Sequence, residues 1–411
     1  MTTPLLAPFV AERYATVERL SGFIAPPYDV VTPAERDQLA HDPENVIHLT
    51  LPCGQPETYK SAAKTLAQWR KRGVLVRDTS SSVTVLRQEF VMRDGTAHAR
   101  TGVIGGVAVE TFAAGRVKPH ERTHSAPKED RLALLQATQA MFEALLFFAR
   151  DADGELQRLL RRATEREPTA GAVLGDVSLA TWTVVGDRAA DIAAAASVGS
   201  LYVGDGHHRY ETAVQYLTEN SNADRIPGLV VPLGDAGLVV LPTHRLLYGD
   251  PLVVDVVVRR LHRSFQLREL SGVDAVEREL ALLAERGTGC VVILPGPRVF
   301  ALLMQQGQDL ERALASVEPT VASLDVARVD EMVIPLVAGR PAAHGRVGYS
   351  ADVDTVVSEV REGRAVAAVL LNAPRVDQVL AVADAGAVMP QKSTYFTPKV
   401  PSGILGIGYA P

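Results

Sequence analysis

Cysteine is nearly absent: 411 residues carry two, Cys53 and Cys290, far apart in sequence and without a metal-like partner beside either. A disulfide framework and a cysteine-based zinc site are therefore excluded, and reduced thiols in a cytoplasmic protein are expected. No apolar run reaches the length needed to cross a membrane. The first residues, Met1-Thr-Thr-Pro-Leu-Leu-Ala-Pro-Phe9, lack the charged start and long apolar core of a secretion signal. No run of Lys or Arg occurs, and the net charge is -6, so nucleic acid is not the expected partner. Neither G-x-x-x-x-G-K-[ST] nor G-x-G-x-x-G occurs, which excludes the two commonest phosphate loops. No internal repeat or low-complexity tract is present. What remains is ordinary globular composition, 47% hydrophobic and 22% charged, long enough for two or three domains.

One stretch stands out, Tyr202-Val-Gly-Asp-Gly-His-His-Arg-Tyr-Glu211. An apolar entry, Leu201-Tyr202-Val203, precedes it. Tyr210, Ala213, Val214 and Leu217 follow at helical spacing. The spacing predicts a strand-to-helix turn over Gly204–Arg209, with its turn positions at the surface. Two glycines permit a tight turn and close approach of a ligand to backbone. Unpaired amides at a helix start attract phosphate. Arg209 adds a planar fork for an anion, and Asp205, His207 and His208 add acid–base or metal capacity.

A second polar stretch runs from Val117 to Arg131. It contains His120-Glu-Arg-Thr-His124, a literal H-E-x-x-H. In metalloproteases that spacing works on one helix face; here Pro119 and Pro127 bracket it and no apolar periodicity supports a helix. A loop presenting Lys118, His120, Glu121, Arg122 and Thr123 to an anion fits better, with a helix beginning near Lys128. Two further clusters follow. Thr243-His244-Arg245 comes directly after an apolar strand. Lys392-Ser393-Thr394 sits in a proline-rich loop, which also holds Tyr395 and Lys399. Thr32-Pro33-Ala34-Glu35 is a capping box with Pro at the first helical position. Its Glu35 either serves the cap or, beside the rigid Pro26-Pro-Tyr-Asp29 loop, acts as a carboxylate at a site.

The element pattern reads as α/β. Helices are expected over Glu57–Gly73, Asp130–Ala149, 188–197, Arg209–Asn220, Val254–His262, Val273–Glu285 and Val376–Ala385, and over Leu324–Ile334, where Pro335 should stop it. Asn45–Leu51 reads as a strand, and Ser82–Met92 with Thr96–Phe112 as a hairpin turning at Arg93-Asp94-Gly95. Gly228–Leu233 with Gly237–Leu241 reads as another hairpin.

Asp205-Gly-His-His-Arg209 resembles the phosphate-binding motif of ParB/sulfiredoxin-like proteins, in particular their free-serine kinases. The whole chain resembles the domain-of-unknown-function 1015 (DUF1015) family. The residues that carry this are Pro26-Pro-Tyr-Asp-Val30, Pro119-His-Glu-Arg-Thr123, Gly204–Tyr210, Pro242-Thr-His-Arg245 and Met389-Pro-Gln-Lys-Ser-Thr-Tyr-Phe396. The resemblance implies a ParB/sulfiredoxin-like α/β core over 1–248, a smaller α/β lobe over 249–345, and a segment, 346–411, returning to the site. It points to a kinase-type phosphotransferase moving a phosphoryl group from ATP or ADP to a small hydroxylated metabolite, plausibly serine. On this reading Asp205, Gly206, His208, Arg209, Lys118, His120, Arg122, Thr123, His244, Arg245, Lys392, Ser393 and Thr394 bind phosphate or nucleotide in one shared cleft. Asp205 or His207 helps hold Mg2+, and Glu35, Glu121 or His207 does the proton chemistry. The alternatives are a metal-dependent hydrolase using His120, His124, His207 and His208, and a nucleotide-binding regulator without turnover. The oligomeric state is left open.

Overall fold

A computed structural model describes residues 3–52, 57–123, 125–296, 298–305, 307–339 and 346–410. The fold is mixed α/β, and the chain divides into two compact units. The first comprises residues 1–119, 123–239 and 396–411. The second comprises 120–122 and 240–395.

The first unit is built on a mixed sheet that runs, edge to edge, through Val117–Lys118, Leu201–Asp205, Leu145–Ala149, Arg225–Pro232, Ala97–Ala108, Ser82–Val91, Val177–Val185 and Ala170–Leu174. Leu145–Ala149 lies inside this sheet, antiparallel to Leu201–Asp205 and parallel to Arg225–Pro232. All five of its side chains are buried, so it reads as an unbroken apolar run rather than an alternating one. That is why the helix expected over Asp130–Ala149 is wrong in its second half. The helix spans Ser125–Thr138, and Gln139 then adopts a left-handed φ of 49°. The chain continues as two strands, Ala140–Glu143 and Leu145–Ala149. A short apolar run cannot distinguish a buried strand from a buried helix by periodicity.

The Ser82–Val91/Ala97–Ala108 hairpin forms as expected, with Gly95 at φ 84° in its turn. The second expected hairpin does not form: Arg225–Pro232 pairs with Ala97–Ala108 and Leu145–Ala149 instead. Asn45–Leu51 is not a strand either. Ile47–Thr50 is a single helical turn, braced by Asn45, whose side-chain amide donates to the Gly22 and Ile24 carbonyls. The same unit holds a smaller sheet of Leu75–Arg77, Glu12–Tyr14, Ser402–Gly408 and Ala140–Glu143.

The second unit contains an antiparallel sheet ordered Phe265–Leu270, Arg298–Met304, Gly289–Leu294, Ala367–Leu371, His244–Leu247 and Val347–Ser350. Cys290, Val292 and Leu294 face one apolar cluster, Val291 and Ile293 another, so the sheet is covered on both sides. Pro335 does not stop its helix. The chain passes through a π-helical turn, Val329–Val333, and continues to Ala338. The wider turn removes the need for the hydrogen bond that proline cannot donate. Among the described residues, no helix is long and apolar enough to cross a membrane.

Candidate functional site

The singled-out stretch folds locally as its residues dictate. Strand Leu201–Asp205 ends at Gly206, which takes φ 96°, and helix His207–Glu219 starts at once. A Cβ at Gly206 would lie 2.7 Å from Leu145 Cγ, so glycine is required for space as well as for φ. Gly206 sits at the N-cap and has no side chain to cap the helix start.

The environment of the turn is not a surface. His207 and Arg209 are 5% and 4% exposed. Arg209 donates to Asp205 Oδ2 at 2.9 Å and to Glu143 Oε1 at 3.4 Å. Lys399 Nζ donates to Asp205 Oδ1 at 2.5 Å. Tyr28 lays its ring beside two guanidinium groups, 4.2 Å from Arg131 and 5.9 Å from Arg209. Burial alone would raise the Asp205 carboxyl, but Lys399 and Arg209 overcome it and hold the group well below the usual range. Glu143 goes the other way. Burial raises it, and Arg209 and Arg131 offset that only in part. Burial likewise pushes the Tyr28 hydroxyl up to about 12. The result is a compact, nearly balanced cluster in which the Arg209 fork is held by protein carboxylates.

Around this cluster, Lys128 and Thr123 both donate to Glu211 Oε2, at 2.8 and 2.5 Å. Lys118 places its ammonium 5.6 Å from the centre of the Tyr202 ring, and His208 is half-buried on the first turn of the helix. Glu35 is exposed and closes its capping box, its Oε2 accepting from the Thr32 amide and hydroxyl, both at 2.8 Å. Those bonds lower its pKa.

The remaining candidates assemble in the second unit. The His120 carbonyl accepts from the Met389 amide at 2.8 Å, and His120 Nε2 meets Thr394 Oγ1 at 3.0 Å. Glu121 Oε1 accepts from the Lys392 amide at 3.3 Å, while the Ser393 hydroxyl donates to the Pro390 carbonyl at 2.5 Å. Arg122 is exposed. Arg245 is fully buried: its Nε and one terminal nitrogen grip Asp330 at 2.9 and 3.1 Å, and the other donates to the Thr243 and Lys392 carbonyls. His244 is buried with Nε2 unpartnered, and burial pushes its pKa down to about 4. His120 thus belongs to one unit and His207 and His208 to the other, while His124 lies outside the described residues. Among the described residues, no group of three or more His, Cys, Asp or Glu is arranged to hold a metal ion.

Sequence reasoning did not assign Glu143, Arg131 or Lys399 to the site. Glu143 carried a usable signal, a lone carboxylate inside the apolar run Met141–Ala149. Lys399 had its place in a proline-rich loop whose hydroxyls and positive charge could close over phosphate.

These features define a mixed α/β protein with a glycine-hinged strand–helix turn, its aspartate clamped between two cations. The chain belongs to the family described as protein of unknown function DUF1015, whose model matches residues 6–327. No curated protein matches it in sequence. Among solved structures it is similar to a conserved hypothetical protein from Pyrococcus furiosus, at 16% identity and a TM-score of 0.36, covering 74% of this chain and 94% of that one. It is similar to a free serine kinase in complex with AMP, at 14% identity and a TM-score of 0.37, covering 74% and 92%. It is also similar to a C-terminally truncated SbnI from Staphylococcus aureus, at 10% identity and a TM-score of 0.38, covering 73% and 87%.

Proposed function

We propose that the protein is a phosphotransferase that moves a phosphoryl group from ATP or ADP to a small hydroxylated metabolite, with free serine the first acceptor to test. One observation carries the reading: an ionised aspartate, held by Lys399 and Arg209, stands immediately before a helix start whose N-cap is a left-handed glycine with no side chain. The first amides of a helix have no partner within it, and they favour a phosphate oxygen. Phosphoryl transfer asks for little beyond positioning and charge neutralisation, which a rigid turn between buried charges supplies. In this role Arg209 fixes the turn through Asp205 and Glu143, and His207 and His208 stand on the first helical turn, next to the amides that would receive the phosphate. Glu35 and His207, which lie in the same unit as the turn, are the candidates for orienting the acceptor hydroxyl.

Among the described residues, the donors do not make a metal site by protein ligands alone. Mg2+ commonly binds through one or two carboxylates together with substrate phosphates, and Asp205 is the carboxylate this turn would contribute.

The test is calorimetric titration with ADP and ATP, followed by phosphorus NMR of nucleotide–serine mixtures. Nucleotide binding and a phosphoserine resonance are expected. Binding without transfer to serine or other hydroxylated metabolites would make the protein a nucleotide-responsive regulator. Absence of both heat and thermal stabilisation would remove the phosphate-site assignment.

A further inference from the structure

Arg100, on strand Ala97–Ala108, is fully buried, yet no carboxylate is among its hydrogen-bond partners. It donates to Gln88 Oε1 at 2.5 and 3.2 Å, to the Pro398 carbonyl at 2.5 Å and to the Thr397 carbonyl at 3.5 Å. Gln88 is its cross-strand neighbour and is also buried. The Gln88 amide nitrogen donates to the next carbonyl, that of Lys399, at 3.0 Å. Two buried side chains from adjacent strands therefore hold three consecutive carbonyls, 397 to 399. The side chain of the third residue is the ammonium that meets Asp205.

A buried guanidinium without a carboxylate is expensive. Burial pushes its pKa down to about 10, with Asp235 and Asp205 acting in the opposite direction. An apolar side chain would fill the same volume without that penalty. What the guanidinium adds is a fixed fork of donors, and two of its three acceptors are backbone of one segment. A lysine stem is flexible, and its ammonium is placed only as well as its backbone. Of the two cations on Asp205, Lys399 is the more exposed, at 13% against 4% for Arg209. It can turn toward a ligand anion without uncovering Glu143.

We infer that Arg100 and Gln88 are positioning residues. They fix the 397–399 backbone so that Lys399 stands at Asp205, ready to take a phosphate oxygen of the ligand. The clamp stands on the geometry alone; the phosphate role of Lys399 rests on the phosphotransferase reading.

The experiment measures the acetylation rate of Lys399 by N-hydroxysuccinimidyl acetate, read by peptide mass spectrometry on the full chain well below its melting temperature. In Arg100→Met the rate should rise several-fold over the parent, and Arg100→Lys should restore it in part. A folded Arg100→Met with the parental rate overturns the clamp. Should that variant not fold, Gln88→Leu, which loses the donor to the Lys399 carbonyl, is read in the same way. With saturating ADP, Lys399 of the parent should be protected several-fold. ADP binding without protection overturns the phosphate role of Lys399 and leaves the phosphotransferase reading intact. No ADP binding at all removes that reading and the phosphate role together, while the rate comparison still decides the clamp.

Discussion

Arg209→Met replaces the buried cation that Asp205 and Glu143 share with an apolar chain of similar length. In the parent, Arg209 is 4% exposed and bonded to Asp205 at 2.9 Å and Glu143 at 3.4 Å. Removing one partner of a buried ion pair costs about 3–5 kcal/mol, because the other charge is left buried and uncompensated. Lys399 still serves Asp205, Arg131 still acts on Glu143, and the Glu143 contact is long. These place the loss near the lower end, about 3 kcal/mol.

The sign with pH follows from Glu143. Its folded pKa already lies above the ordinary carboxylate value, and losing Arg209 raises it further. A group raised on folding contributes stability at low pH and loses it as pH climbs through the folded pKa. The deficit of Arg209→Met should therefore be larger at pH 8 than at pH 5. Adding Glu143→Gln to that variant should recover part of it. Urea unfolding of the parent and both variants at the two pH values measures this. A deficit below about 1 kcal/mol, the level of an exposed pair, and equal at both pH values would refute the claim that Arg209 holds a buried charge cluster together.

Three further outcomes are expected. Gly206→Ala forces φ 96° on a residue with a Cβ and drives that atom to 2.7 Å from Leu145 Cγ, so a loss of at least ~1–3 kcal/mol should appear in thermal melts. A parental melting curve would show that the turn tolerates a side chain. His244, pushed down to about 4 from 6.5 by burial first and Arg245 second, takes up its proton more readily in the unfolded chain. Its contribution is therefore full above pH 6.5 and lost as pH falls toward 4, worth up to ~3 kcal/mol. His244→Leu should flatten the dependence of the urea midpoint on pH in that window, and an unchanged slope would rule this out. Glu35→Ala opens the capping box and should cost about 1 kcal/mol. Glu35→Gln keeps the box and should retain stability while losing phosphoryl transfer; transfer at the parental rate would pass the base role to another group.

Local chemistry was enough to read the parts of this protein that local chemistry governs. A glycine between an apolar strand and a helical repeat makes the Asp205–His207 turn. Thr32, Pro33 and Glu35 make a helix cap, and Asp94-Gly95 makes a hairpin. Each depends on residues within a few positions of one another, where backbone sterics and capping bonds act. Residues 140–149 were not legible, because an apolar run buried on all sides satisfies a strand and a helix equally well until neighbouring strands offer it hydrogen bonds. The role of Arg209 was not legible either. An arginine fork suits a phosphate and a carboxylate alike, and only the packing of Glu143 beside it decided which one it holds here. Lys399 lies 194 residues from Asp205 in sequence and Pro398 lies 298 from Arg100. Which ammonium closes on which carboxylate is set by the sheet that carries Gln88 and Arg100 and by the return of the last strand to the first unit. These are long-range contacts, and composition, spacing and periodicity carry no record of them.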